Sequence, residues 1–219
     1  MIVHVAPLVC GYLLGAIPFA YIVTRITRGV DIRTVDIGNS GAGAVIRYVG
    51  VRAGALVAIG DIGKGAAAVY LAQSLGAGLP VAFLAGMAAV IGHIWPVYIG
   101  FRGGQGVATL IGVFLALVFW AAAFTLLMMG VGLLINRKRG ASRRLFLVVA
   151  SAAPVLPVLV YAIYGSPELL LYTMMGVLFI VARNRERLRH PRTVTERLLG
   201  EYTDAGTTRP DGANSGHGI

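Results

Sequence analysis

Asp61 and Lys64, in Asp61-Ile-Gly-Lys-Gly65, stand inside an apolar run of this 219-residue chain. Residues three apart face each other on a helix, so the two charges can pair. Ionisable groups in such a run are costly, and they are kept either as mutual partners or as parts of a functional pocket. Both outcomes fit here: an ion pair that makes the helix tolerable, or a lysine that lends charge to an anionic pocket. A second segment runs Asp31-Ile-Arg-Thr-Val-Asp-Ile-Gly-Asn-Ser-Gly-Ala-Gly-Ala-Val-Ile-Arg47. Gly38, Gly41 and Gly43 let the backbone turn and present N–H groups, while Asn39 and Ser40 add side-chain donors or a helix cap. A helix is expected from about 42 to 51, with Arg47 a turn or so inside it. A glycine loop opening such a helix suits an anion. A plain capped turn accounts for the same residues.

A third segment is Gly92-His-Ile-Trp-Pro96, followed by Phe101-Arg-Gly-Gly-Gln-Gly-Val-Ala-Thr109. Trp95 and Tyr98 suit a membrane interface, and His93 falls about one turn inside it. A lone histidine there serves packing or chemistry. Gly103, Gly104, Gln105 and Gly106 lead into a helix with Thr109 in its first turn, a second start suited to phosphate. The P-loop spacing GxxxxGK[ST] is absent. No carboxylate pair, Ser/His/Asp order or His/Cys metal spacing stands out, so no metal is expected. The single cysteine, Cys10, excludes an internal disulfide. Two glycine loops with Arg47, Lys64 and Arg102 on one face point to an anionic, phosphorylated ligand.

The elements that must position these residues are membrane helices. Apolar residues make up 57% and charged residues 13% of the chain, and mean hydropathy is +0.79. A soluble domain carries about 25% charge. Apolar runs cover 5–24, 53–76, 79–100, 107–135, 145–164 and 168–182. The first lacks a basic n-region and a cleavage site, so it reads as a retained helix. A net charge of +10 reads as basic cytoplasmic loops rather than a nucleic-acid surface. The basic residues cluster after the first, third, fourth and last runs, whereas the joints Gly76–Pro80 and Gly165–Glu168 hold no Lys or Arg. Placing all basic segments on one side requires 107–135 to cross twice, in two short helices hinged around Trp120–Phe124. The expectation is an all-α polytopic membrane protein: seven transmembrane helices, N-terminus outside, C-terminus cytoplasmic. Residues 1–201 form the membrane domain, and 202–219 read as a disordered cytoplasmic tail.

Read in order, these motifs resemble the bacterial integral-membrane glycerol-3-phosphate acyltransferases that use acyl phosphate as donor. Gly15-Ala-Ile-Pro-Phe19 is similar to the family's G-S-I-P-F/Y, and Gly38-Asn-x-Gly-Ala42 with Arg47 to its S-G-N-x-G-A-T-N-x-x-R. Asp61-x-x-Lys-Gly65 resembles its D-x-x-K-G, Gly92-His-x-x-Pro96 its G-H-x-F-P, and Gly103-Gly-Gln-Gly-Val-Ala-Thr109 its G-G-K-G-V-A-T. The likeness spans roughly 11–201. It implies acyl transfer to the 1-hydroxyl of glycerol 3-phosphate, giving lysophosphatidic acid for phospholipid synthesis. It implies no cofactor, a bacterial inner-membrane location with the site on the cytoplasmic side, and contact with membrane lipid and with partner enzymes of phospholipid synthesis. Catalysis in the family rests on positioning and charge neutralisation, which agrees with the missing triad. The residues that would hold substrate are Gly38, Asn39, Gly41, Arg47, Lys64, His93, Gly103, Gly104, Gln105, Gly106 and Thr109, with Asp61, Arg102, Ser142, Asn184 and Arg187 as secondary candidates.

The departures are specific. Ile37 replaces the family's loop serine, Gly43-Ala44 its Thr-Asn pair, and Gln105 the lysine of its second glycine loop. Its C-terminal R-H-R-E-N aligns with Arg183-Asn-Arg-Glu-Arg187, putting Asn184 and Arg187 in place of His and Asn; a slipped alignment would use His190. Arg102 and Arg187 are the residues able to restore the lost charge. Three readings stay open: a divergent acyltransferase, a non-catalytic family member that binds lipid phosphates or assists the enzyme, and a transporter of anionic lipid precursors.

Overall fold

The computed structural model describes residues 2–35, 41–135 and 154–189, and every element among them is helical. Ten α-helices follow in order: α1 Ile2–Gly15, α2 Phe19–Arg28, α3 Ile32–Val35, α4 Ala42–Tyr48, α5 Val51–Ser74, α6 Leu79–Ile94, α7 Val107–Leu117, α8 Phe119–Ile135, α9 Pro154–Tyr164 and α10 Pro167–Arg189. Among the described residues, three stretches are long and apolar enough to cross a membrane: Val5–Arg28, Val51–Ser74 and Leu79–Ile99. Many large apolar side chains face outward, among them Leu56, Ile59, Tyr70, Leu84 and Leu127. In water such a surface would be a liability; against acyl chains it is the expected solvent contact.

Pro18 divides the first apolar run into α1 and α2. Proline lacks the N–H that a continuing helix needs, and its ring disfavours a helical residue before it. The run 107–135 divides at Val118, between α7 and α8. The break thus falls two residues before the hinge expected around Trp120–Phe124. Val118 is fully buried, and its N–H still reaches Phe114 O at 2.8 Å. The last helix runs past the apolar stretch 168–182 to Arg189.

Close backbone approach holds the helices together. A Cβ at Gly11 or Gly15 would strike Ala85 or Ala89 of α6, and a Cβ at Gly65 or Gly112 would strike the carbonyl of Thr109 or Ile62. Helices in lipid gain little from apolar burial alone, so small residues that let backbones touch supply the packing. The main core joins α5–α10 around Val69, Val90, Val113, Phe114 and Val160. A smaller cluster joins Ala20 and Val23 of α2, Ile32 of α3, Ala44 and Val45 of α4, and Val57 of α5. Phe83 stacks on Tyr172 with centroids 4.7 Å apart, seating α10 on α6.

Candidate active site

Asp61 and Lys64 occupy one face of α5 and are almost wholly buried, 2% and 5% exposed. Lys64 Nζ lies 2.9 Å from Asp61 Oδ1. The approach is close in distance but off the hydrogen-bonding direction, since Oδ1 has no directed donor among the described residues. The directed bond of the ammonium goes instead to Ile17 O, at 3.0 Å. That carbonyl stands beside the break made by Pro18. The helix interruption at the start of the chain therefore supplies a fixed dipole to a charge on α5. Phe19 adds a ring face 5.8 Å from Nζ.

His93, on the last turn of α6, closes the cluster. Its Nδ1 is 3.3 Å from Asp61 Oδ1. One carboxylate therefore faces both an ammonium and an imidazole, all three buried. The Nδ1 edge of the ring faces the carboxylate, and Nε2 points the other way. On that side lies Gly104, where a Cβ would collide with Nε2; one at Gly103 would collide with His93 O. The two glycines are thus required by the histidine they cover. A small cavity of about 20 Å³, room for a single water, is lined by Asp61, Lys64, His93, Pro18, Gly103 and Gly104.

The second glycine loop differs from its expected role in one respect. The N–H of Gly103 donates to Ile94 O at 3.1 Å, and that of Gly104 to His93 O at 3.0 Å. Helix ends leave carbonyls without intrahelical donors, and this loop satisfies two of them. Those two amides are therefore engaged with α6 rather than turned toward a phosphoryl group. Gly106, at φ +83°, is the left-handed residue that turns the chain into α7. Thr109 is fully buried, and its Oγ1 has no hydrogen-bond partner among the described residues.

Arg47 sits on the last turn of α4 and Arg102 beside the second loop, both exposed. Asn184, half-buried on α10, donates through Nδ2 to Ile180 O at 2.9 Å and to Gln105 O at 3.4 Å. It steadies the loop's main chain where the alignment expects a histidine. The neighbouring Arg183 lies over the Trp95 ring at 5.7 Å. Gly41 caps α4 in an extended conformation. Gly38, Asn39 and Ser142 lie outside the described residues, as do Ile37, His190 and the tail 202–219; Arg187 is on α10, its side chain outside them.

Two contacts escape a reading of the chain alone. One is the Ile17 carbonyl on Lys64, for which Pro18 was the available signal. The other is Arg33, which reads as one more basic loop residue. Its Nε bonds both Asp31 oxygens at 3.0 and 3.1 Å, its Nη2 reaches Oδ2 at 2.6 Å, and its Nη1 donates to Ile99 O at 2.6 Å.

The bundle with its buried acid–base cluster under a glycine rim belongs to a described class of membrane protein. Residues 5–192 match the glycerol-3-phosphate acyltransferase family. The glycerol-3-phosphate acyltransferase of Synechococcus sp. (strain CC9902) is 38% identical over 194 residues, covering 89% of this chain and 94% of the relative. That of Alkaliphilus metalliredigens (strain QYMF) is 36% identical over 201 residues, covering 92% and 98%. The crystal structure of PlsY (YgiH), an integral membrane glycerol 3-phosphate acyltransferase, in its glycerol 3-phosphate form superposes with a TM-score of 0.72 at 31% identity, covering 90% of this chain and 92% of that one. Its lysophosphatidic acid form gives a TM-score of 0.69. This chain belongs to the glycerol-3-phosphate acyltransferase family, and it is a membrane protein.

Proposed function

We propose that the chain transfers a fatty acyl group from acyl phosphate to the 1-hydroxyl of glycerol 3-phosphate, releasing lysophosphatidic acid and inorganic phosphate. The acyl carbon gains the bond to the hydroxyl oxygen and loses its bond to phosphate, which leaves with the hydroxyl proton. The observation that carries this reading is the buried Asp61–Lys64–His93 cluster capped by Gly103 and Gly104, in a chain of this family. Arg47 and Gln105 take phosphate oxygens, with Arg102 and Arg187 supplying long-range positive charge. Lys64 has three N–H donors; one goes to Ile17 O and the ammonium lies beside the Asp61 carboxylate, and the group adds positive potential to the cavity. Gly38, Asn39 and Gly41 turn the first loop around the anion, Gly106 and Thr109 shape the start of α7, and Asn184 holds the Gln105 backbone. Ser142 is a further polar candidate.

Seven crossings follow if the α1–α2 stretch, α5, α6, α7, α8, α9 and α10 each traverse the bilayer, with the N-terminus outside and the C-terminus cytoplasmic. α7 has 11 residues, a length of roughly 16 Å, so local thinning or burial against its neighbours accompanies that crossing. The charge of the basic segments supports a site on the cytoplasmic side, in a bacterial inner membrane, where soluble glycerol 3-phosphate meets a lipid-borne donor. The acyl chain lies between helices and opens sideways to lipid. Residues 1–201 act as one domain, and partner enzymes of phospholipid synthesis are the expected neighbours. The non-catalytic and transport readings are not favoured, since the relatives named above bear the enzyme's name.

The test is product formation by purified protein in detergent, given acyl phosphate and glycerol 3-phosphate. Lysophosphatidic acid is the expected product. Binding of both substrates without product overturns the catalytic reading.

A further inference from the structure

We propose that Arg33 is a positioning residue that sets the spacing between the helix bearing Arg47 and the Gly103–Gly106 rim, by bonding Asp31 and the Ile99 carbonyl at once; this rests on the site reading given above. α3 has four residues, Ile32–Val35, far too few to be stable by its own hydrogen bonds. Its place is fixed from two sides. On one side Ile32 is fully buried in the apolar cluster that also holds Val23 of α2 and Ala44 and Val45 of α4, so α3 and α4 share one core with α2 between them. On the other side the Arg33 guanidinium grips Asp31 through Nε and Nη2, and its Nη1 donates to Ile99 O at 2.6 Å.

Ile99 ends the 3-10 turn Val97–Ile99, just ahead of the second glycine loop. Gly103 and Gly104 of that loop are themselves tied to the end of α6. The path from Arg47 to the rim thus runs through α4, the apolar cluster it shares with α2 and Ile32, and then Arg33 and Ile99. The Tyr21 ring, 5.4 Å from the guanidinium carbon, seats the fork on α2.

Geometry separates this role from simple anchoring. Arg33 and Asp31 are 28% and 22% exposed at their side chains, and ion pairs open to solvent add little to stability. A planar fork can hold an acid and a carbonyl in fixed relation; an ammonium is a point charge without that geometry. The arginine therefore matters more for where α4 stands than for whether the chain folds.

The test uses the full chain in detergent, with spin labels at Tyr48→Cys and Tyr98→Cys in a Cys10→Ala background. Both labelled positions are exposed. Arg33→Ala is expected to broaden the distance distribution between the labels. It should raise KM for glycerol 3-phosphate about tenfold or more, as loss of a charged hydrogen-bonded contact does. The kcat should stay within about threefold, because the reacting groups remain. The melting midpoint should move by no more than about 4 °C. Arg33→Lys should fall between Arg33→Ala and the natural chain in both distance width and KM. An unchanged distance distribution overturns the proposal, and so does a KM that stays put. A parallel fall of kcat and melting midpoint without a KM change assigns Arg33 to folding and also overturns it. If the natural chain turns over no glycerol 3-phosphate, the catalytic reading fails and the label distances alone decide this one.

Discussion

Replacing Asp61 by Asn keeps the side chain's shape and removes the charge that matches Lys64. Both side chains are 3% exposed, and the ammonium stands 2.9 Å from the carboxylate. After the change Lys64 keeps only the Ile17 carbonyl as a strong partner. Breaking a buried pair by removing one member costs about 3–5 kcal/mol. At about 2–4 °C per kcal/mol for a chain of this size, the apparent melting midpoint should fall by roughly 6–20 °C. The assay is heat unfolding in detergent at one fixed scan rate, because irreversible unfolding makes the midpoint rate-dependent. Lys64→Met should be costly for the mirror-image reason. The double variant, with neither charge, should recover much of the loss and show a coupling of about 2 kcal/mol or more. Additivity of the two single effects within about 0.5 kcal/mol would refute the claim that the charges act as a unit.

Gly104→Ala should cut turnover at least tenfold, because its Cβ meets His93 Nε2 and a misplaced group near the chemistry can cost about a hundredfold; Gly63→Ala, whose Cβ meets nothing within 4 Å, should be neutral in the same assay. Gln105→Lys, which restores a positive charge at the rim, should lower KM for glycerol 3-phosphate about tenfold at low ionic strength, and the gain should shrink as salt is added. The Arg33 guanidinium beside Asp31, helped more weakly by Arg25, holds that carboxyl below its ordinary range. Its stabilising contribution is therefore complete above the unfolded value of about 3.9 and fades as pH falls through the lower folded value. Asp31→Asn should remove it at neutral pH and flatten the acid limb of a melting-midpoint profile below about pH 4.

Much of this arrangement is legible along the chain where contacts are local. Asp61 and Lys64 pair because three residues on a helix bring them to one face, and the sequence states that spacing directly. The division of 107–135 follows from charge parity, yet its position does not. No Gly or Pro marks the break at Val118, which is fully buried in the main core. His93 reads as a lone histidine because its partner Asp61 sits on another helix, and only the packing of α5 against α6 joins them. The glycines at 103 and 104 suggest an anion cradle, whereas their amides answer the unpaired carbonyls of a helix end. Their lack of side chains answers His93. Arg33 is hidden by the charge pattern itself, since a basic residue beside a membrane helix already has an explanation.

Ile17 gives Lys64 its hydrogen bond through the main chain. A change of side chain at 17 leaves that oxygen in place, whereas a change at 18 alters the course of the backbone that presents it. Sequence drift should therefore be lenient at 17 and strict at 18, although it is residue 17 whose oxygen accepts the lysine's hydrogen bond. A survey of tolerated substitutions would then flag a proline that donates and accepts no hydrogen bond to the lysine and pass over the residue beside it. The contact is inherited as a chain path rather than as an amino-acid identity, and it can be lost by inserting or deleting one residue without altering any polar side chain.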